Sequence, residues 1–398
     1  MDALTTPLPK DWEAVKVEDI FEIITDFSAA GSFAQQSQMV QYTNDRTNYA
    51  QLIRTTELKN GFNNTNAIYI NKEAFEFLWR VNLNSDAIIL PNIGINCGEI
   101  YYVDIKKLIH KHNALAPNAI LLRTKKANLK FLFYAFLDTW FQKQLINIIT
   151  SSAQPKFTKT DLRDLLIPLP PLDEQIAIAN ILSDVDRYLC SLDALILKKE
   201  SVKKALSFEL LSQRKRLKGF NQAWQRVRLG DICEITTGSL DANEMVHYGK
   251  YRFYTCAKEY YFIDKYAFDT EAILISGNGA YVGYVHYYKG KFNAYQRTYV
   301  LDNFSEHIIF VKYFLTMFLQ SHIQTNRNEG NTPYIVMATL KDFEILLPPL
   351  NEQIAIANIL SALDHEIISL KNKKRQFENI KKALNHDLMS AKIRVLKK

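Results

Sequence analysis

A chain of 398 residues, 47% of them hydrophobic and 23% charged, is long enough for two or three domains with their own cores. It has no apolar run of about 18 residues and no signal-peptide pattern, which argues against a membrane span and against secretion. Its four cysteines lack metal-binding spacing, so we expect a cytoplasmic protein with reduced thiols.

The formal charge of +7 is unevenly distributed along the chain. Residues 196–218 carry eight Lys and Arg against two Glu, and residues 371–398 carry ten against two acidic residues. These two runs hold +6 and +8, so the remainder of the chain is net negative by 7. Such runs are either solvated outer faces of helices or surfaces that attract a polyanion or an acidic partner.

Two related segments open the two halves of the chain. Residues 12–23 and 224–235 share a Trp, a Val three positions later, an Asp-Ile pair and a later Glu, at a separation of 212 residues. Each opening is followed by the same succession of patterns. A buried strand is predicted at Ala87–Pro91 and again at Ala272–Ser276. The chain thus predicts two copies of a mixed α+β domain.

The elements after each strand also correspond. A glycine-punctuated turn is predicted at 92–98 and 277–283, and a short helix at 130–137 and 312–319. Each domain then ends in a polar loop and a strand before a proline pair. The turn at 277–283 superficially resembles a nucleotide-binding loop, but no helix follows it, which favours a structural turn.

The most closely repeated stretch begins at the two proline pairs. Residues 170–183 and 348–361 are identical except that Asp173 becomes Asn351. The similarity continues more loosely for some forty residues at a constant offset of 178, without a gap. This constant offset indicates two copies of one structural element.

After each proline pair, apolar residues recur at alternating steps of three and four, as along a coiled-coil seam. The predicted seam consists of Leu182, Val185, Leu189, Leu192, Ile196, Leu206, Leu360, Leu363, Ile367, Leu370, Phe377 and Leu384. We expect Asp173 and Asn351 to be the N-caps and Gly219 to end the first helix. Each helix is then about forty residues, or ~60 Å, long.

The predicted fold class is α+β. Two mixed α/β domains are joined by two long antiparallel coiled-coil-like helices, with an internal pseudo-twofold repeat. The predicted boundaries are 1–170 for the first domain, 171–218 for the first helical spacer, 219–348 for the second domain and 349–398 for the second spacer.

The sequence lacks the motifs that assemble a catalytic or metal centre. It has no Walker lysine motif, HExxH, nucleophile elbow or aminomethylating Asn/Asp-Pro-Pro-aromatic tetrad. Its eight histidines are scattered, and the closest pair, His110 and His112, has no carboxylate or cysteine neighbours in the sequence. We therefore expect a non-catalytic chain without a metal or cofactor of its own.

Some residues have the chemistry for DNA contact. Residues 247–261 interleave basic and aromatic side chains, which suits phosphates and bases, although a tyrosine-rich core is an equal alternative. Arg, Asn and Gln can read base edges. The DNA-binding candidates are Gln154, Lys156, Lys250, Arg252, Gln296, Arg297, Arg327, Asn331 and Thr332.

Two different globular units, each followed by a nearly identical long helix, resemble the specificity (S) subunit of type I restriction–modification systems. The resemblance covers essentially the whole chain and is carried by residues 167–175 and 346–353 and by the two Trp openings. One departure is Glu18, which stands where the second copy has Gly230. This difference affects a local turn.

The resemblance implies that each domain is a target-recognition domain that reads one half of a split double-stranded DNA site. It also implies that the helices set the spacing and dock two methyltransferase (M) subunits on the outer faces of 173–212 and 351–390. By the same resemblance, S-adenosylmethionine would be held by M subunits. Restriction (R) subunits would bring ATP and Mg²⁺.

Two other interpretations stay open. A coiled-coil adaptor without DNA binding fits the net-negative domains, because DNA readers are usually basic where they contact phosphate. Within the family, the chain could serve a system that cuts on both sides of its site, or an orphan methylation system. A self-contained DNA-modifying enzyme is disfavoured, because no catalytic cluster is visible.

Overall fold

The computed structural model describes residues 8–62, 65–150, 153–325 and 333–396. The chain divides into two compact units: unit 1 is Met1–Ser191 with Lys374–Lys398, and unit 2 is Leu192–Lys373. Each unit contains one globular domain and parts of both long helices. This confirms the predicted fold class. The predicted domain boundaries stay a prediction, because the division into units passes through both helices.

The described residues of unit 1 form three small sheets. Its strands are β1 (Glu13–Lys16), β2 (Ile23–Asp26), β3 (Ala50–Ile53), β4 (Ile68–Ile70), β5 (Ala87–Pro91), β6 (Tyr101–Val103), β7 (Asn113–Leu115), β8 (Ala119–Arg123) and β9 (Leu166–Leu169). The sheet orders are β1-β9, β2-β8-β5-β6 and β4-β3-β7. Every residue of β5 is buried, which confirms the strand predicted there.

The helices that begin in unit 1 are short except for the last. They are α1 (Val17–Ile20), α2 (Phe33–Met39), α3 (Thr55–Asn60), α4 (Lys72–Phe77), α5 (Leu129–Leu137), α6 (Thr139–Ile148), α7 (Lys159–Arg163) and α8 (Leu172–Leu211). Helix α5 confirms the helix predicted at 130–137. The aromatic residues Phe131 and Phe136 of α5 lie in the same core as the central strands, so the helix covers the four-stranded sheet.

Unit 2 is built on a six-stranded sheet. Its strands are β10 (Gln225–Arg228), β11 (Glu234–Thr237), β12 (Tyr251–Tyr254), β13 (Tyr261–Ile263), β14 (Phe268–Ser276), β15 (Val285–Ala294), β16 (Thr298–Asp302) and β17 (Glu344–Leu347). The sheet orders are β10-β17 and β11-β16-β14-β15-β12-β13. The helices are α9 (Ile308–Thr325), α10 (Met337–Lys341) and α11 (Leu350–Met389).

The same two-stranded ribbon leads into each long helix. Strand β1 pairs with β9 so that Val15 faces Ile167, and β10 pairs with β17 so that Val227 faces Ile345. The opening segment of each domain therefore lies beside the strand that precedes the proline pair. This pairing explains why the Trp openings are part of the repeat.

The two long helices, α8 and α11, are each forty residues long, as predicted. Their starts differ from the prediction. They begin at Leu172 and Leu350, so Asp173 and Asn351 lie inside the first turn and are not the N-caps. Each instead accepts a hydrogen bond from the next backbone N–H, at 3.0 Å for Asp173 and 2.9 Å for Asn351.

The prediction that Gly219 ends the first helix is wrong. Helix α8 ends at Leu211, and the left-handed residue beyond it is Gln213, with φ of 63°. Helix α11 ends in the same way, with Ala391 at φ of 57°. Both ends share a backbone bond spanning six residues, from Lys215 N to Glu209 O and from Ile393 N to Asp387 O. The repeat therefore includes both helix ends.

Within each unit the two long helices run antiparallel. In unit 1, Asp186 contacts Lys381 at 2.5 Å, and the rings of Tyr188 and Phe377 are 4.7 Å apart. Moving forward on α8 thus means moving backward on α11. In unit 2, Lys199 contacts Glu366 at 2.8 Å and Lys203, further along α8, contacts Asp364, which precedes Glu366 on α11.

None of the predicted seam residues is exposed. Leu182, Leu192, Ile196, Leu360 and Ile367 are buried, and the others are half-buried. Leu182 and Leu360 lie in the domain cores, a contact that helical spacing alone could not distinguish from a helix–helix seam. Within the described ranges, no helix is long and apolar enough to cross a membrane.

Candidate nucleic-acid interface

Each domain is attached to its long helix by a buried carboxylate. The indole N–H of Trp12 donates to Glu174 at 3.1 Å, and that of Trp224 donates to Glu352 at 3.2 Å. Both glutamates are buried, and Glu352 is fully so. Arginines complete the pairs: Arg394 bonds Glu174 at 2.7 Å and Arg216 bonds Glu352 at 2.6 Å.

The neighbouring glutamines are buried as well. Gln175 donates to the Pro170 carbonyl at 2.8 Å and accepts from the backbone of Asn128 at 2.9 Å. Gln353 repeats this with the Pro348 carbonyl at 2.8 Å and the backbone of His307 at 3.0 Å. The repeated Pro-Pro-Leu-Asp/Asn-Glu-Gln stretch is therefore an attachment point for the domain.

A second repeated contact joins each domain to both long helices, and we call it the domain–helix joint. In unit 1 the Tyr134 hydroxyl donates to Asp186 at 2.7 Å, and Asp186 also pairs with Lys381. In unit 2 Tyr313 donates to Asp364 at 2.6 Å, and Asp364 pairs with Lys203. Each joint thus holds the domain's helix against both long helices.

The domain–helix joint of unit 2 should make the stability of the fold sensitive to acid. Burial acts to raise the pKa of Asp364, but the hydrogen bonds from Lys203 and Tyr313 outweigh it, so the pKa is lowered. A lowered folded-state pKa stabilises the fold above the unfolded value of about 4, and that stability is lost as pH falls through the folded value. The melting-temperature advantage of wild type over Asp364→Asn should therefore shrink below about pH 4.

Thermal melts at pH 6 and pH 3.5 measure this advantage directly. Asp342→Asn is the matched control, because the carboxylate of Asp342 is 64% exposed and lies 3.6 Å from Arg228. An advantage for Asp364 that stays constant over this pH range would contradict the assignment.

Three loops meet at one place in unit 1, and we call them loop cluster 1. They are the glycine turn 92–98, the turn 116–118 before β8, and the segment 155–157. Backbone bonds join them: Asn92 N to Asn118 O at 3.0 Å, Gly94 N to Pro155 O at 2.9 Å, and Phe157 N to Asn92 O at 3.1 Å.

The same arrangement recurs in unit 2 as loop cluster 2. It consists of the glycine turn 277–283, the turn 295–298 before β16, and the segment 333–335. The bonds are equivalent: Gly277 N to Arg297 O at 2.8 Å, Gly279 N to Pro333 O at 2.9 Å, and Ile335 N to Gly277 O at 2.9 Å. The two units therefore share one loop scaffold with different side chains.

Glycine is required where these loops approach their surroundings. Gly94 and Gly279 have φ of 93° and 81°, a region that side chains disfavour. A Cβ on Gly277 would lie 2.3 Å from the Arg297 carbonyl oxygen. The glycines at 92–98 and 277–283 thus form tight structural turns, as predicted.

Both loop clusters expose side chains whose chemistry suits contact with a nucleic acid. In loop cluster 1, Ile95 is 97% exposed and Lys156 and Asn118 are also exposed. In loop cluster 2, Tyr281 is 44% exposed, and the Lys258 ammonium lies 5.1 Å from its ring centroid. Exposed rings beside cations suit the bases and phosphates of a nucleic acid.

The structure brings some of the predicted DNA-binding residues together. Lys156 lies in loop cluster 1 with Gln154 just before it, and Gln296 and Arg297 lie in loop cluster 2; all four are exposed. Arg327, Asn331 and Thr332 lie outside the described residues. For all seven residues, a contact with DNA stays a prediction.

Lys250 and Arg252 lie elsewhere, at the start of β12. Arg252 lies opposite Phe292 inside the sheet, whereas Arg297 lies in the turn beyond the end of β15. Its guanidinium lies between the rings of Tyr260 and Tyr288, at 4.3 and 4.5 Å from their centroids. This packing supports the tyrosine-core alternative for Arg252, while Lys250 is exposed.

Asn118 is a residue that sequence reasoning missed. It has φ of 67° and is exposed at the position in cluster 1 that Arg297 occupies in cluster 2. The Pro117-Asn118 pair is a turn signal that could have indicated it. Among the described residues, no group of three or more His, Cys, Asp or Glu side chains is placed to hold a metal ion.

These features define a duplicated protein in which two equivalent loop clusters carry different side chains on one shared backbone frame. The family model for the type I restriction modification DNA specificity domain matches residues 9–199 and 221–379, one match for each half. The chain therefore belongs to the family of type I restriction–modification specificity proteins.

Individual relatives agree with this assignment. The type I restriction enzyme EcoDI specificity subunit of Escherichia coli is 39% identical over 160 residues, covering 39% of this chain and 35% of that subunit. The MjaVIII specificity subunit of Methanocaldococcus jannaschii is 25% identical over 432 residues, covering 98% and 94% of the two chains. The chain thus spans about a third of the first relative and nearly all of the second.

The fold is also found in a solved structure. The crystal structure of the S subunit of a type I restriction–modification system from M. genitalium matches with a TM-score of 0.62 and 17% identity. The match covers 96% of this chain and 97% of that one. At this identity the likeness concerns the fold.

Proposed function

We propose that the chain is the DNA-reading subunit of a type I restriction–modification complex, with each loop cluster reading one half of a split double-stranded site. The main support for this proposal is that the two loop clusters share the same backbone hydrogen bonds but expose different side chains. A common scaffold with different contact residues suits two half-sites of different sequence. Chemistry on DNA would belong to the partner subunits.

Selection from randomised duplexes tests the DNA-reading part of this proposal. The full chain, combined with type I modification subunits, should enrich duplexes with two defined blocks separated by undefined base pairs. Binding should weaken as salt rises, because phosphate contacts release counterions. Lack of any sequence enrichment, with or without the partner subunits, would favour the adaptor interpretation.

We propose further that two M subunits bind the outer faces of α8 and α11, with R subunits joining through them. The two helices share buried attachment points and matching ends, and residues 170–183 and 348–361 are identical but for one position, which supports two equivalent docking sites. The runs of Lys and Arg within 196–218 and 371–398 add positive charge that would suit an acidic partner surface.

Cys190 provides a test of this docking, because it is exposed on α8. We expect a maleimide to label Cys190 readily in the free chain, and bound M subunits to slow that labelling by about tenfold or more, since an interface excludes reagent. Cys256 is the control within a recognition domain. Cys233 should react slowly in both states, because burial raises the pKa of its thiol to about 12.

The labelling experiment has a clear contrary outcome. Equal labelling of Cys190 in the free and bound chain, while M co-purifies with it, would place the M subunits away from this face of α8.

A further inference from the structure

The turns that precede β8 and β16 occupy the same place in the two loop clusters. The carbonyl of Asn118 accepts a hydrogen bond from Asn92 N at 3.0 Å, and that of Arg297 accepts one from Gly277 N at 2.8 Å. In each case the next residue, Ala119 or Thr298, is buried and begins the strand. Asn118 and Arg297 are therefore structural equivalents.

The backbone of the turn in unit 2 is held from three directions. Gln296 N donates to Leu240 O at 2.9 Å, Gly238 N donates to Thr298 O at 3.2 Å, and the Cys256 thiol donates to Arg297 O at 3.3 Å. A side chain that starts from a fixed backbone loses less freedom when it binds. Arg297 is thus well placed to make a defined contact.

The backbone of the turn in unit 1 is also held on both sides. Ala116 N donates to Ile53 O at 3.0 Å, and the Asn118 carbonyl is bound as described above. Asn118 has a left-handed φ of 67°, which turns the chain sharply into β8. The exposed Pro117 adds rigidity, because its ring fixes φ.

Both side chains are available for an outside partner. Asn118 and Arg297 are exposed, and within the described ranges neither side chain makes a hydrogen bond or ion pair. In the major groove an Asn amide pairs in bidentate fashion with adenine, and an Arg guanidinium with guanine. The two residue types thus have the chemistry to read different base pairs.

We infer that Asn118 and Arg297 are equivalent base-reading residues, Asn118 for an A·T pair in one half-site and Arg297 for a G·C pair in the other. The inference rests on the proposed function and adds one reading residue and one base class to each half-site.

A purely conformational role for Asn118 makes a different prediction. Asn tolerates a left-handed backbone better than most residues, so the turn alone could require it. Asn118→Gly keeps that backbone and removes the amide, whereas Asn118→Asp keeps the shape but replaces the amide donor with a negatively charged acceptor. If only the backbone mattered, the glycine variant would bind DNA as wild type does.

The experiment compares base preference at every position of the site selected by the wild-type chain with type I modification subunits. We expect Asn118→Gly and Asn118→Asp each to lose about 5- to 150-fold discrimination at one A·T pair. Arg297→Ala and Arg297→Lys should lose similar discrimination at one G·C pair in the other half-site. Asn44→Ala and Arg226→Ala, at exposed positions outside the clusters, are the controls.

Each outcome decides the inference. Unchanged preference in the glycine and aspartate variants removes Asn118 from the reading surface, and unchanged preference in the Arg297 variants does the same for Arg297. A change spread over both half-sites, or a lowered melting temperature that accounts for the loss, would also overturn the assignment. If the wild-type chain selects no site, the proposed function fails first and this inference with it.

Discussion

Arg216→Ala should destabilise unit 2 by about 3–5 kcal/mol, the cost of leaving a buried carboxylate without its charged partner. Glu352 is 0% exposed, and Arg216 bonds it through Nε at 3.2 Å and Nη2 at 2.6 Å. After the substitution, the indole N–H of Trp224 would remain as the side-chain donor to Glu352 at 3.2 Å. The attachment of the second domain to α11 would therefore weaken.

Urea unfolding followed by tryptophan fluorescence measures this effect. Arg226→Ala is the matched control, because Arg226 pairs with Glu344 at 2.9 Å on the surface, where both side chains are more than half exposed. Such an exposed pair contributes about 0–1 kcal/mol. Equal effects of the two substitutions would show that the buried carboxylate is not the attachment that we describe.

Gly277→Ala should impair the reading of one half-site while leaving the other intact. The new Cβ would lie 2.3 Å from the Arg297 carbonyl oxygen and 2.9 Å from a ring atom of Tyr299. The turn 295–298 would have to move, which breaks the Gly277–Arg297 hydrogen bond, and such overpacking costs about 1–3 kcal/mol. Because Arg297 would leave its position, discrimination in its half-site should fall about tenfold or more.

Unit 1 contains the natural comparison for this prediction. The residue equivalent to Gly277 is Asn92, whose side chain donates to the Phe157 carbonyl at 3.0 Å and so fits the same place. Asn92→Ala should therefore move the turn less than Gly277→Ala does. Site selection with each variant checks the pair, and a Gly277→Ala protein that selects an unaltered site would contradict the role of this close approach.

The arrangement of two domains and two long helices was predictable because sequence repeats and apolar periodicity indicate it. Two copies at a constant offset, forty residues without Gly or Pro, and apolar steps of three and four indicate two long helices. The buried strand at Ala87–Pro91 followed from its continuous apolar run. These signals are local, so a single sequence carries them.

Features that depend on tertiary contact were not predictable in the same way. Glu174 and Gln175 are polar residues in the first turn of a helix, where the sequence predicts exposure. Both are nevertheless buried by the domain that packs against them. Gln213 and Ala391 adopt a left-handed conformation just beyond the helix ends, although Gly219 was the residue expected to end the first helix. At Glu174 and Gln175 a distant segment outweighs the intrinsic preference of the residue, whereas the two helix ends are closed by a local backbone bond.

The candidate site was only partly predictable, because the sequence shows the chemistry of a residue but not its position in the fold. Lys156, Gln296 and Arg297 were identified by residue chemistry, and the structure places them on equivalent clusters. Arg252 has the same chemistry but lies between two tyrosine rings. Asn118 was missed because its equivalence to Arg297 lies in a backbone hydrogen bond, which residue spacing does not show.

The claim that two loop clusters each read one half-site is tested most directly by binding to half-scrambled duplexes. The full chain with type I modification subunits would be titrated by fluorescence anisotropy against the selected site, each half-scrambled version and the fully scrambled version at one salt concentration. We predict that scrambling either half lowers affinity by about tenfold or more, since each mismatched base pair typically costs ~1–3 kcal/mol. Full affinity for a duplex with one half scrambled would contradict the account.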